Sequence, residues 1–187
     1  MEMTNKELFI SICKENIRRD GIEALMEALE KNDFYFAPAS HRFHLSVPGG
    51  LLQHSLNVYN ELKRLVSTYG FEEKYSAESI AIVSLFHDFC KISMYKPDTK
   101  NVKIDGKWTA VPCYSVSEKF SYGGHGSKSV FLIERYIRLN AEEAVAINCH
   151  MSCWDGNNTV GDAFRQYPLA WLLHVADEAA SFLIEKE

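Results

Sequence analysis

The apolar run Ile80-Ala-Ile-Val-Ser-Leu-Phe-His-Asp-Phe-Cys-Lys-Ile92 constrains this chain more than any other stretch. It carries an adjacent histidine and aspartate where a buried helix is expected. A carboxylate taken out of water is costly unless a positive group meets it. Any fold that buries this run must therefore bring a cation to His87 and Asp88. Suitable companions lie elsewhere in the chain: His54 ahead of the pair, then His125, His150 and Asp177 behind it. Imidazole nitrogen suits Mn, Fe, Co, Ni or Zn, while carboxylate oxygen also suits harder ions, so this mixed set favours a first-row divalent metal. An aspartate can bridge two ions through its two oxygens. Two ions about 3.5–4 Å apart acidify a shared water and clamp the oxygens of a phosphoryl group.

Helical periodicity covers most of the chain. Thr4 is placed to cap a first helix through Leu8, Ile12 and Ile17, with Glu7 completing a capping box. Gly21 ends it, and Ile22 to Glu30 follows as a second helix. Residues 32–50 break into aromatic, proline and glycine residues, a loop of a length that is often functional. Leu51 to Tyr69 returns to helical period, and Ser76 is placed to cap the helix leading to His87-Asp88. Later helices are expected over His125 to Leu139, over Glu142 to Met151, and from Pro168 through Phe182. Between Asn101 and Val111, β-type residues flank Asp105-Gly106, a favoured two-residue hairpin turn. These patterns predict a mainly α domain with a small inserted hairpin, and Trp108 on that hairpin stands out as a contact point.

The 187 residues suffice for one domain with a substantial core. A formal charge of −5 and a pI near 5.8 argue against a dedicated nucleic-acid coat. They leave room for a small phosphate-bearing substrate, because local cations and metals can reverse the potential at one site. Five scattered cysteines do not suggest a secreted disulfide framework, and Cys149 and Cys153 around His150 lack the spacing of a zinc knuckle. With no signal-type N-terminus and no apolar run of membrane-spanning length, a cytoplasmic protein is expected.

At the level of motif the chain resembles the HD-domain superfamily of metal-dependent phosphohydrolases. The resemblance rests on His54 in Gly49-Gly-Leu-Leu-Gln-His-Ser-Leu56, the doublet in Leu85-Phe-His-Asp-Phe-Cys-Lys91, and Asp177 in Leu172-Leu-His-Val-Ala-Asp177. The extra histidines of the binuclear branch are matched by His125 in Gly123-Gly-His-Gly126 and His150 in Asn148-Cys-His-Met151. The resemblance implies an all-α fold, an HD-domain helical bundle with the small β-hairpin around residues 101–114, as a single domain over 1–187. It implies one or two divalent ions (Mn, Fe, Ni, Co, Zn or Mg). His54, His87, Asp88 and Asp177 would hold the first ion, and Asp88, His125 and His150 the second. The implied activity is cleavage of a phosphomonoester or phosphodiester in a nucleotide or similar small compound through a metal-activated hydroxide. An exonuclease on short RNA or DNA, or a non-catalytic metal- or nucleotide-binding module, are the alternatives. The cyclic-dinucleotide branch carries Gly-Tyr-Pro after its paired histidines; here Met151-Ser-Cys-Trp-Asp-Gly-Asn-Asn158 stands instead, which turns the reading away from those substrates.

Secondary candidates follow from position. Asp88 and Lys91 are the expected catalytic residues, with Lys91 meeting a phosphate or leaving oxygen, or else pairing with Asp88. Lys128, three residues after His125, and Arg42, in the long loop, are expected to bind substrate phosphate. His174, one turn before Asp177, is read as support for the ligands, and His41 and His44 as loop residues within reach of a substrate. Trp154 and Asp155 are placed to wall the pocket. No membrane partner and no stable nucleic-acid partner are expected.

Overall fold

A computed structural model describes residues 3–117, 123–152 and 160–186. The helix α1 spans Asn5–Asn16, with Thr4 and Glu7 making both halves of a capping box. It is followed by α2 (Ile22–Lys31), α3 (Gly50–Thr68) and α4 (Ala77–Phe86), the last capped by the Ser76 hydroxyl. After the hairpin come α5 (His125–Ile133), α6 (Ala141–Cys149), α7 (Val160–Gln166) and α8 (Pro168–Ala179). Helix α5 stops short of the expected Leu139, and α7 was not anticipated. The expected straight run to Phe182 gives way at Ala180–Ile184 to one wider π-type turn.

Helix α4 has no polar face: every residue from Ile80 to Phe86 is buried. A helix that is apolar all round must be enclosed, and α1, α3 and α6 pack around it. Helix α8 packs across α3 and α6. The loop over 32–49 joins this core, with Phe34 fully buried and its ring 5.1 Å from that of Phe9. Backbone hydrogen bonds from Gly49 to the Phe36 carbonyl and from Leu51 to the Ala37 carbonyl hold that loop against the start of α3.

The all-α class is corrected by the hairpin. Strands β1 (Tyr95–Ile104) and β2 (Lys107–Val116) are ten residues each and pair antiparallel from Tyr95↔Val116 to Ile104↔Lys107. The element thus begins six residues before 101 and ends two after 114, and the molecule is mostly helical with a two-stranded antiparallel sheet. The turn lies at Asp105-Gly106, where φ values of 49° and 81° supply the double left-handed geometry of the tight hairpin. The first strand's start escaped the sequence reading because Pro97 interrupts the β-type pattern there. In a two-stranded ribbon every strand is an edge, where a missing N–H is tolerated. No helix among the described residues is long and apolar enough to cross a membrane.

Candidate metal centre

The His87-Asp88 pair does not lie mid-helix. Helix α4 ends at Phe86, His87 is its cap, and Asp88 leaves the helical conformation at φ −99°, ψ 25° before a short 3-10 turn over Phe89–Lys91. Neighbours on a continuing helix would diverge by about 100°; at this break both side chains reach the same buried space. A helix end also leaves carbonyls without intrahelical partners. His87 uses one of them, donating from Nδ1 to the Ser84 carbonyl at 2.8 Å. His150, the cap of α6, repeats the device with the Ile147 carbonyl at 2.6 Å. His54 projects from the middle of α3 and donates from Nδ1 to Glu185 at 3.0 Å. In all three residues Nδ1 is tied and Nε2 is directed at the centre, the arrangement that fixes an imidazole as a metal ligand.

The converging atoms lie close together. His54 Nε2 is 3.2 Å from His87 Nε2, 3.1 Å from Asp177 Oδ1 and 3.6 Å from Asp88 Oδ2. His87 Nε2 is 3.4 Å from Asp88 Oδ2 and 4.0 Å from Asp177 Oδ1. Donors about 2.1 Å from a common ion stand about 3.0 Å apart at a right angle and about 4.2 Å apart when opposed. Every one of these separations falls within that range, so the residues fit a first-row divalent ion. Two further observations point the same way. Asp88 Oδ1 and His150 Nε2 are buried without a hydrogen-bond partner, and they face each other at 3.6 Å. Buried polar atoms rarely go unpaired, and a cation satisfies both at once. Two imidazole nitrogens at 3.2 Å likewise cannot present lone pairs to each other without a proton or metal between them.

The charges are strongly coupled. Burial opposes protonation of His54, but hydrogen bonds to Asp177 and Glu185 and their charges outweigh it and raise its pKa to about 9. Burial would raise Asp177, yet the His54 hydrogen bond and the surrounding imidazoles hold it well below the usual carboxylate range. Asp88 is held low in the same way, against its burial, chiefly by the charges of Lys91 and His87. The Lys91 ammonium is buried and lies 2.6 Å from Asp88 Oδ2, so of the two expected roles the ion pair is the one seen.

Of the expected second ligand group, Asp88 stands between the two histidines, with His150 Nε2 3.6 Å from its Oδ1. His150 gathers with His87 and Asp177, whereas His125, the first residue of α5, gathers with Asp88 and Cys90. Cys90 Sγ lies 3.5 Å from His125 Nδ1, and burial pushes its thiol up to about 12. Gly126 allows this approach: a Cβ there would stand 2.2 Å from the Asn148 carbonyl oxygen of α6. Lys128 is buried on α5, its pKa lowered by burial and partly restored by Cys90. Arg42 is not drawn in; its guanidinium lies over the exposed Phe43 ring, 4.9 Å from the centroid. His174 donates to the His150 carbonyl at 2.7 Å. Trp154 and Asp155 lie outside the described residues. A separate cavity of about 600 Å³ between α1 and α2 is lined by none of these side chains.

Sequence reasoning missed Glu185 and gave His44 no definite role. The π-type turn returns Glu185 to the interior, where Asn57 also donates to it at 2.8 Å. No helical period anticipates one wider turn. The His44 ring lies tilted against that of His54 with centroids 4.9 Å apart, and burial with the charges of His54 and Lys91 lowers its pKa to about 4. Compared with family models, curated proteins and solved structures, the chain finds no match.

Proposed function

We infer that the chain is a metal-dependent phosphohydrolase of the HD type, acting on a phosphomonoester or phosphodiester of a nucleotide or similar small phosphate compound in the cytoplasm. The observation that carries this reading is the convergence of three tethered imidazoles on two buried carboxylates. His54, His87, Asp88 and Asp177 would hold the ion, with His150 beside them and His125 on the Cys90 side of Asp88. A divalent ion supplies Lewis acidity toward phosphoryl oxygen and lowers the pKa of water. The chain's own contribution is orientation. Glu185 holds the His54 ring, the Ser84 and Ile147 carbonyls hold His87 and His150, and Lys91 fixes one Asp88 oxygen while the other remains without a hydrogen bond.

The test is hydrolysis of p-nitrophenyl phosphate, bis(p-nitrophenyl) phosphate and a nucleotide panel by chelator-stripped protein resupplied with Mn, Co, Ni, Zn or Mg. Turnover of at least one ester is expected to return with metal, and Asp88→Ala to lose metal binding and turnover together. Failure of every ester with every metal would sink the enzyme reading.

A further inference from the structure

Beside the group of His54, His87 and Asp177 stands a smaller gathering with a different chemistry. Asp88, Cys90 and His125 bring a carboxylate oxygen, a thiol sulfur and an imidazole nitrogen within 4.8 Å of one another. Local structure puts them there. Asp88 and Cys90 belong to the 3-10 turn that follows α4, and His125 opens α5, which packs on that turn. The Cys90 N–H donates to the Ser129 hydroxyl of α5 at 3.1 Å and so fastens the two elements together. Cys90 Sγ then lies 3.5 Å from His125 Nδ1. A thiolate about 2.3 Å and an imidazole nitrogen about 2.0 Å from one tetrahedral ion stand about 3.6 Å apart.

A thiol donating to the imidazole would account for that pair alone, but not for Asp88. Asp88 is 3% exposed; its Oδ2 meets Lys91 and faces His54 and His87, while its Oδ1 has no hydrogen-bond partner. Buried polar atoms rarely go unpaired. Burial and the Asp88 charge oppose a thiolate at Cys90, whereas a hydrogen bond with Ser129 and the charges of Lys91 and Lys128 favour it. A bound ion decides that balance, because a coordinating thiol is deprotonated outright. We propose that Asp88, Cys90 and His125 form a second metal site, ligated through a thiolate and taking zinc or cobalt in preference to manganese or magnesium. Sulfur donors favour the softer ions. Three protein donors leave a fourth tetrahedral position, the arrangement that holds a water or a substrate oxygen. As the sulfur–metal bond forms, the Cys90 S–H bond breaks and its proton leaves to solvent. The proposal rests on the metal centre described above, with which it shares Asp88, and requires no particular reaction there.

Cobalt is the probe. The reduced, chelator-stripped chain titrated with Co²⁺ is expected to gain the intense near-ultraviolet absorption of a cobalt–thiolate bond as a second equivalent binds. Excess manganese should not remove it. Cys90→Ala should abolish that band and lose that equivalent, leaving the weaker visible bands of the ion held by nitrogen and oxygen. His125→Ala should raise the cobalt concentration needed for the band by about tenfold or more. Cys149→Ala, at the thiol preceding His150, should keep it. Melting temperatures confirm that the variants fold. A crystal of the wild-type chain grown with zinc gives a reading that needs no variant: an anomalous peak enclosed by Cys90 Sγ, His125 Nδ1 and Asp88. Cobalt bound without the thiolate band, a band that survives Cys90→Ala, or a zinc-bearing crystal with no peak among those three side chains would overturn the proposal. Ester hydrolysis is read separately. The second site can therefore fail while the phosphohydrolase reading stands, and a thiolate band without turnover would sink that reading and leave the site in place.

Discussion

At His54 two carboxylates compete for one imidazole: Glu185 takes Nδ1–H at 3.0 Å, and Asp177 lies 3.1 Å from Nε2. With a pKa raised to about 9, His54 is protonated at neutral pH in the metal-free protein. A metal must displace that proton. Divalent-ion affinity should therefore rise with pH through neutrality and flatten above about 9. Calorimetry in buffers of different ionisation enthalpy should detect close to one proton released per ion near pH 7; an affinity and enthalpy blind to pH and buffer would contradict it. Glu185→Leu removes the acceptor that orients His54 and should weaken metal binding about 10- to 100-fold. Glu185→Gln, which keeps a carbonyl oxygen there, should lose less. Equal losses in the two variants would show that the hydrogen bond is not what matters. Burial pushes the Cys13 thiol up to about 12, so it should stay unalkylated at pH 8 until the protein unfolds, as peptide mapping would show.

At the scale of elements, His54 and Asp177 project from within α3 and α8, while the side chains that join them stand where regular structure stops. His87 and His150 cap α4 and α6, His125 begins α5, and Glu185 follows the π-type turn. This explains what the sequence could reveal. Thr4 and Ser76 with the apolar residues that follow them made α1 and α4 readable, because capping and apolar patterning act over a few residues. The gathering of Glu185, Cys90 and the His44 loop depends on turns that no local pattern encodes. The hairpin was visible from Asp105-Gly106, but Pro97 concealed how far its first strand reaches. Gly50, at the start of the helix that carries His54, is a point where the loop and α3 touch. A Cβ there would stand 2.1 Å from the Leu45 carbonyl oxygen. Gly50→Ala should cost about 1–3 kcal/mol through overpacking. That should lower the melting temperature by roughly 2–12 °C; an unchanged melt would mean the loop is loose.

Across the whole molecule, Arg19 ties the α1–α2 corner to two later helices. Its guanidinium meets Glu143 of α6 at 2.5 Å and Glu78 of α4 at 3.1 Å. Glu143 is fully buried, and without Arg19 it keeps only neutral donors such as the Ser79 hydroxyl at 2.8 Å. Arg19→Met should destabilise the fold by about 3 kcal/mol, because it strands a buried charge, and adding Glu143→Gln should recover part of the loss in denaturant unfolding. Two of the helices so joined end at donors, α4 at His87 and α6 at His150, and whether the donor set holds a metal decides the account. Anomalous diffraction at the manganese edge, from crystals grown with manganese and no chelator, measures this directly. The predicted result is a peak enclosed by His54 Nε2, His87 Nε2, Asp88 and Asp177. A manganese-bearing crystal with no peak among those four side chains would contradict the account.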